Sequence, residues 1–139
     1  MNEAFVFTKI GGWNFGFTHD LVRGKTTGEK YLERWYFCIL GRTIRLHKFY
    51  RGDDDRALHD HPWPFVTFPL VSYLERVAED KVNYVQPLRF HYRPASYKHM
   101  VLRSGRPMTK PFFTIVFTGK KQRSWGFWPK GRFVHWSEF

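Results

Sequence analysis

No stretch of the sequence sustains an apolar period of 3.6 residues, while turn signals recur roughly every 8 to 12 residues. Together these exclude a helical bundle and point to an all-β fold. The first strands are the easiest to read. Phe5 and Phe7 alternate with smaller or polar residues, Gly11-Gly12 follows, and Trp13, Phe15 and Phe17 alternate again, which is the pattern of a hairpin. His19 to Lys30 is polar, carries two glycines and shows no period, so it reads as a surface loop. Tyr31 to Leu40 reads as a buried strand, Gly41-Arg42 as a tight turn, and Thr43 to Tyr50 as a strand with Ile44 and Leu46 on one face.

Further along, Arg51 to Asp60 is a charged loop. Phe65 to Val77 is strand-like, with Pro69 marking a bulge or an edge. Val82 to His91, Tyr97 to Leu102 and Phe112 to Thr118 are further strands, and the chain closes on Ser124 to Trp128 and Phe133 to Trp136. At 139 residues, one domain with a real core is expected. Fifteen Phe, seven Tyr and six Trp supply large rings to fill it.

Two features bound the setting. The single cysteine, Cys38, lies in the apolar run from Trp35 to Leu40 and reads as a buried small hydrophobe in a reducing compartment. No segment has the eighteen or so apolar residues of a membrane span, and Met1 to Phe5 lacks the pattern of a secretory signal, so a cytoplasmic protein with no membrane partner is expected. The formal net charge is +11, and no Asp or Glu occurs between Lys81 and Ser137. A positive field of this kind suits a small anionic ligand, an acidic protein or nucleic acid, and it equally serves solubility.

The chemistry centres on His59-Asp60-His61-Pro62-Trp63. In an extended segment, side chains alternate faces with period two, so His59 and His61 share a side and can share a metal ion. Asp60 then points the other way, toward a partner such as Arg56 or into a loop cap. A second run, Pro94-Ala95-Ser96-Tyr97-Lys98-His99, delivers another histidine from a turn onto a strand.

These two runs resemble the two motifs of the cupin superfamily, small β-barrels of jelly-roll type. The first motif supplies His-x-His, then a glutamate and a glycine; the second supplies Pro-x-Gly-x-x-His. His59 and His61 match the first and His99, with Pro94, the second. Phe65 or Val66 stands at the glutamate position, Ser72 at the following glycine and Ser96 at the second motif's glycine. The resemblance therefore implies a site of three histidines without the carboxylate ligand. A narrower similarity, to small phage- and prophage-type cupin-like proteins, rests on Asp55 to Trp63, Tyr73-Leu74-Glu75, Trp125-Gly126-Phe127 and Trp136. The implied organisation is an N-terminal hairpin and loop extension over 1–30 and a cupin-like β-barrel over 31–139.

The expected cofactor is one divalent transition metal, Fe, Zn, Ni or Mn, since imidazole ligands do not choose among them. Glu75 shares a strand face with Tyr73 and is the candidate acid or base; a salt bridge to an arginine such as Arg89 or Arg103 is the structural alternative for it. Tyr73, Arg56, Arg89, Tyr97 and Arg103 are candidates for holding an anionic substrate. His47 and His91 lie on neighbouring strands, as cavity-lining or ordinary histidines. Trp63 and Trp125 read first as rings plugging the barrel.

Three functions follow in order. The first is a metal-dependent enzyme acting on a small anionic molecule. The second is a non-catalytic barrel that binds an anionic nucleotide, sugar or signalling molecule. The third is nucleic-acid binding through the basic half. A homodimer is compatible with the exposed strand edges expected here.

Overall fold

The computed structural model describes residues 2–10, 13–23, 30–50, 57–102 and 111–139, with 2–15 and 23 described by backbone only. Among them, β1 (Asn2–Ile10), β2 (Trp13–Arg23), β3 (Lys30–Ile39), β4 (Arg42–Phe49), β5 (Phe65–Pro69), β8 (His91–Arg93) and β10 (Phe112–Thr118) form one sheet in the order β1-β2-β3-β4-β10-β5-β8. A second sheet runs β7-β6-β9, from β6 (Tyr73–Ala78), β7 (Lys81–Val85) and β9 (Met100–Leu102). β11 (Gly126–Phe127) and β12 (Val134–His135) make a small ribbon, joined by a 3-10 turn over Pro129–Gly131. The core lies between the two main sheets: Tyr31, Leu32 and Phe49 from the first meet Tyr73, Val85 and Val101 from the second, while several other rings, among them Phe37, Phe90, Tyr92 and Phe117, are exposed. Phe112 stacks on Phe49 at 4.9 Å and on Tyr73 at 5.7 Å. This is the all-β architecture expected.

Several boundaries differ from the sequence reading, each for a local reason. β2 runs on to Arg23 through the first part of the expected His19 to Lys30 loop, with Asp20, Leu21 and Val22 opposite Arg34, Glu33 and Leu32. Its polar residues are satisfied across the strand pair: Arg34 grips Asp20 through two bonds, and His19 meets Glu33 at 2.6 Å. Residues 24–29 lie outside the described residues. The β3–β4 turn is Leu40-Gly41, both with positive φ (54° and 76°), the geometry that a two-residue hairpin needs. The expected strand from Phe65 to Val77 breaks after Pro69 at a bend over Leu70-Val71 and resumes as β6. The expected strand from Val82 to His91 likewise breaks at a turn containing Leu88, at φ 58°.

Cross-strand register lines up the inner face of the large sheet in rows. Asp20, Arg34, His47 and Thr114 stand side by side on β2, β3, β4 and β10, and Tyr36, Arg45, Val116 and Thr67 form the next row on β3, β4, β10 and β5. Ile44 and Leu46, the more apolar residues of β4, therefore face outward, 49% and 37% exposed. A sheet whose inner face is this polar is lining a cavity rather than filling a core.

Candidate metal centre

His59 and His99 are held face to face by two backbone bonds, His59 N–H to His99 C=O at 3.0 Å and His99 N–H to His59 C=O at 3.1 Å. His61 N–H donates to Ala95 C=O at 3.0 Å, so the second run of the sequence, Pro94 to His99, clamps both ends of the first. On its other side, the same segment is tied to β11 and its flank: Asp60 N–H to Gly126 C=O at 3.1 Å and Trp128 N–H to Leu58 C=O at 2.7 Å. The segment is thus extended, and period two places the two imidazoles together as expected.

Asp60 lies on the opposite side and is buried. One carboxylate oxygen accepts from Gly126 N–H at 2.8 Å; the other accepts from Trp128 Nε1 at 3.1 Å and pairs with Arg123 at 3.1 Å. Arg123 is its partner among the described residues; the expected Arg56 lies outside them. Gly126 is required by the close approach of β12, since a Cβ there would lie 2.2 Å from Val134 O. That is a physical reason for the glycine in Trp125-Gly126-Phe127.

The three imidazoles of His59, His61 and His99 converge, with one ligand atom from each within 4.8 Å of the others. Atoms sharing an ion at about 2.1 Å each lie at most about 4.2 Å apart, so a small inward rotation of the rings completes the site. Burial, and then the neighbouring His99 and His59, push His61 well below the ordinary imidazole range, which keeps it in the neutral form that a metal requires. Phe65, at the position of the usual glutamate, packs 4.5 Å from His61 and 5.9 Å from His99. The residues fit a divalent metal held by three neutral nitrogens, leaving further coordination positions for solvent or substrate.

Glu75 stands behind His99. It has no exposed surface; its Oε2 accepts from His99 Nδ1 at 2.9 Å, while Oε1 accepts from Arg93 at 2.9 Å and from the Tyr97 hydroxyl. Burial alone would raise its pKa, but the bonds to His99 and Tyr97 and the charge of Arg93 outweigh it, and the group is held below the usual carboxylate range. A bond from Nδ1–H leaves His99 Nε2 as the ligand atom. Among the described residues, the arginine paired with Glu75 is Arg93. Arg89 is exposed in the turn between β7 and β8, and Arg103 lies outside the described residues. Sequence reasoning missed Arg93, although it shares an extended turn-and-strand segment with Pro94 to His99.

The site opens on a cavity of about 330 Å³, at the small end of the roughly 300–1,000 Å³ typical of small-molecule sites. Tyr73 lines it, with its hydroxyl engaged by Thr67 and its pKa raised by burial and by Glu75. Tyr97 serves Glu75 rather than the cavity, and its pKa is raised by burial and by that carboxylate. Trp63 and Trp125 line the cavity, Trp63 stacked on His61 at 5.6 Å. His47 lines it as well, whereas His91 is turned to the Gln86 carbonyl. Arg34 and Arg45, also lining, were not singled out in the sequence because a strand's alternation does not say which face is inside.

No family model matches the sequence, and no curated protein matches it. Solved structures do. An RmlC-like cupin protein from Ralstonia eutropha aligns with TM-score 0.53 and 16% identity over 84% of this chain and 71% of that one. The iron(II) form of HppE aligns with TM-score 0.53 and 12% identity over 73% and 56%. The dimethylsulfoniopropionate (DMSP) lyase DddQ from Ruegeria pomeroyi aligns with TM-score 0.51 and 16% identity over 84% and 54%. The chain spans about half the length of the first structures it matches. At these identities the likeness is one of fold, and with its two main sheets and its histidines on facing segments the chain has a cupin-like β-barrel fold.

Proposed function

We propose that the protein is a metal-dependent enzyme acting on a small anionic molecule. The observation that carries this reading is the convergence of His59, His61 and His99 on one wall of a small cavity, with Glu75 fixing the orientation of His99. A bound divalent metal would supply Lewis acidity or redox chemistry at its open positions. Iron is favoured by analogy with HppE, and Zn, Ni and Mn remain compatible with the donor set. The protein's own part is then to hold three neutral imidazoles, to exclude bulk water with Phe65 and Trp63, and to orient the substrate. The test is turnover of a panel of small carboxylates and phosphonates by metal-loaded protein. Product formation that disappears in His59→Ala supports the reading, and turnover independent of metal and of His59 contradicts it.

One observation favours a second reading, a barrel that binds its ligand without turnover. Among the described residues, the carboxylates nearest the cluster, Glu75 and Asp60, are both fully engaged by other groups. Neither is free to move a proton at an open metal position. Saturable binding with an unchanged ligand mass would select this reading.

The finer placement among small phage-type cupin-like proteins rests on the run from Asp55 to Trp63. A cytoplasmic setting belongs to the same proposal; no helix among the described residues is long and apolar enough to cross a membrane. So does a homodimer, for which the outer face of the large sheet offers a row of Phe37, Ile44, Phe117, Val66 and Tyr92, all but Val66 exposed. Light scattering distinguishes dimer from monomer.

A further inference from the structure

The three-histidine cluster occupies only part of the cavity wall. Elsewhere on that wall, β4 presents Arg45 and His47 two residues apart, hence on the same face. Arg45 donates from Nε to Thr43 at 2.8 Å, and its guanidinium lies over the rings of Tyr36 at 4.3 Å and Trp63 at 4.8 Å. Among the described residues it has no carboxylate partner within bonding distance. Arg34, in the row beside it, is different: both of its contacts with Asp20 are made, which neutralises that charge locally. His47 Nε2 is buried in the same cavity with no hydrogen-bond partner.

A cation and an orphaned ring nitrogen side by side are costly in a cavity unless something fills it. Stacking on two rings offsets part of that cost and leaves the outer guanidinium N–H groups of Arg45 available to a ligand. We infer that Arg45 and His47 form an oxyanion subsite, and that the protein's ligand is a small bifunctional molecule whose carboxylate or phosphonate head sits there while its other end reaches the metal.

This rests on the metal-centre reading for the second end only; the oxyanion subsite stands on its own residues. Burial, then the neighbouring Arg34, lower Arg45 to about 10, which leaves it charged at neutral pH. Trp63 sets the scale of the molecule. Its indole touches both Arg45 and His61, so the two ends of the ligand are separated by little more than one side chain. Arg45's planar fork suits a two-oxygen head, and a ring nitrogen carrying a proton would add a third bond.

The experiment is a calorimetric titration of the full chain, metal-free and nickel-loaded, with malonate and with inorganic phosphate. Saturable binding of at least one probe is expected in both forms. The probe that binds more tightly tells a carboxylate head from a phosphoryl one. Arg45→Met is expected to weaken binding at least tenfold while leaving the nickel stoichiometry unchanged; His99→Ala is expected to lose nickel and retain the anion. Should Arg45→Met fail to fold, Arg45→Lys and His47→Gln, which keep a polar group in place, are each expected to weaken binding severalfold. Absence of binding by both probes, or wild-type affinity in the folded Arg45 and His47 variants, overturns the proposal even if nickel binds. Anion binding without any metal uptake would instead overturn the metal-centre reading and leave the oxyanion subsite standing.

Discussion

His99 Nδ1 donates to Glu75 Oε2 at 2.9 Å in a buried contact, and the same carboxylate is gripped from its other oxygen by Arg93 and Tyr97. A ligand imidazole is thereby fixed in tautomer and in direction before any metal arrives. Glu75→Gln keeps the shape and removes the charge. It is expected to weaken metal affinity about 10- to 100-fold and to destabilise the apoprotein by about 1.5–3 kcal/mol, since Arg93, Tyr97 and His99 lose a charged acceptor. Competition with a chromophoric chelator and urea unfolding read the two effects. Unchanged affinity would mean that the contact does not position His99.

The apoprotein should lose stability on acidification in two stages. His47 is held well below the imidazole range by burial and by Arg34 and Arg45, and His61 by burial and the other two imidazoles. The unfolded chain therefore binds protons that the folded one refuses, beginning near about pH 6.5, and unfolding becomes easier below that point. Glu75, lowered in the folded state, adds a second loss as pH falls below about 4.3 and through its folded value. In urea midpoints measured from pH 8 to 4, His47→Gln should flatten the first stage. A profile identical to wild type would show that His47 is not buried in the neutral form.

Gly126→Ala should destabilise the protein by about 1–3 kcal/mol or more, because the new methyl group meets the Val134 carbonyl. The same strain disturbs the Gly126 N–H bond to Asp60 and hence the segment carrying His59 and His61. Metal affinity should fall with stability. An alanine variant within about 0.5 kcal/mol of wild type would contradict the tight approach of β11 to β12.

Asp60→Asn removes the charge that Arg123 pairs with and leaves an amide facing two N–H donors. A loss of about 1.5–3 kcal/mol is expected in urea unfolding. The three imidazoles stay in place, so metal stoichiometry should survive. Loss of the metal with the fold intact would make Asp60 a ligand.

What was legible in the sequence follows from the range of each cause. That His59 and His61 share a side while Asp60 turns away is a property of three consecutive residues in an extended segment, and it holds in the structure. The identity of the group behind His99 is not local. Glu75, Arg93 and Tyr97 meet only through the pairing of β6 with β9 and β5 with β8, so Arg93 carried no signal of its own. Alternation along β4 was readable, but its inward face was not. Ile44 and Leu46 are the apolar choice, yet the cavity draws Arg45 and His47 inward. Polar alternation also hid the end of β2, where Asp20 and Arg34 satisfy each other across the sheet.

The proposed metal centre of His59, His61 and His99 would hold one ion. Elemental analysis of untagged protein, purified without added metal and then reconstituted with Fe(II), Zn, Ni or Mn in turn, tests it directly. About one ion per chain is expected for at least one of these metals, lost in folded His59→Ala and His99→Ala. Folded wild-type protein that takes up none of them, or histidine variants that hold as much metal as wild type, would contradict it.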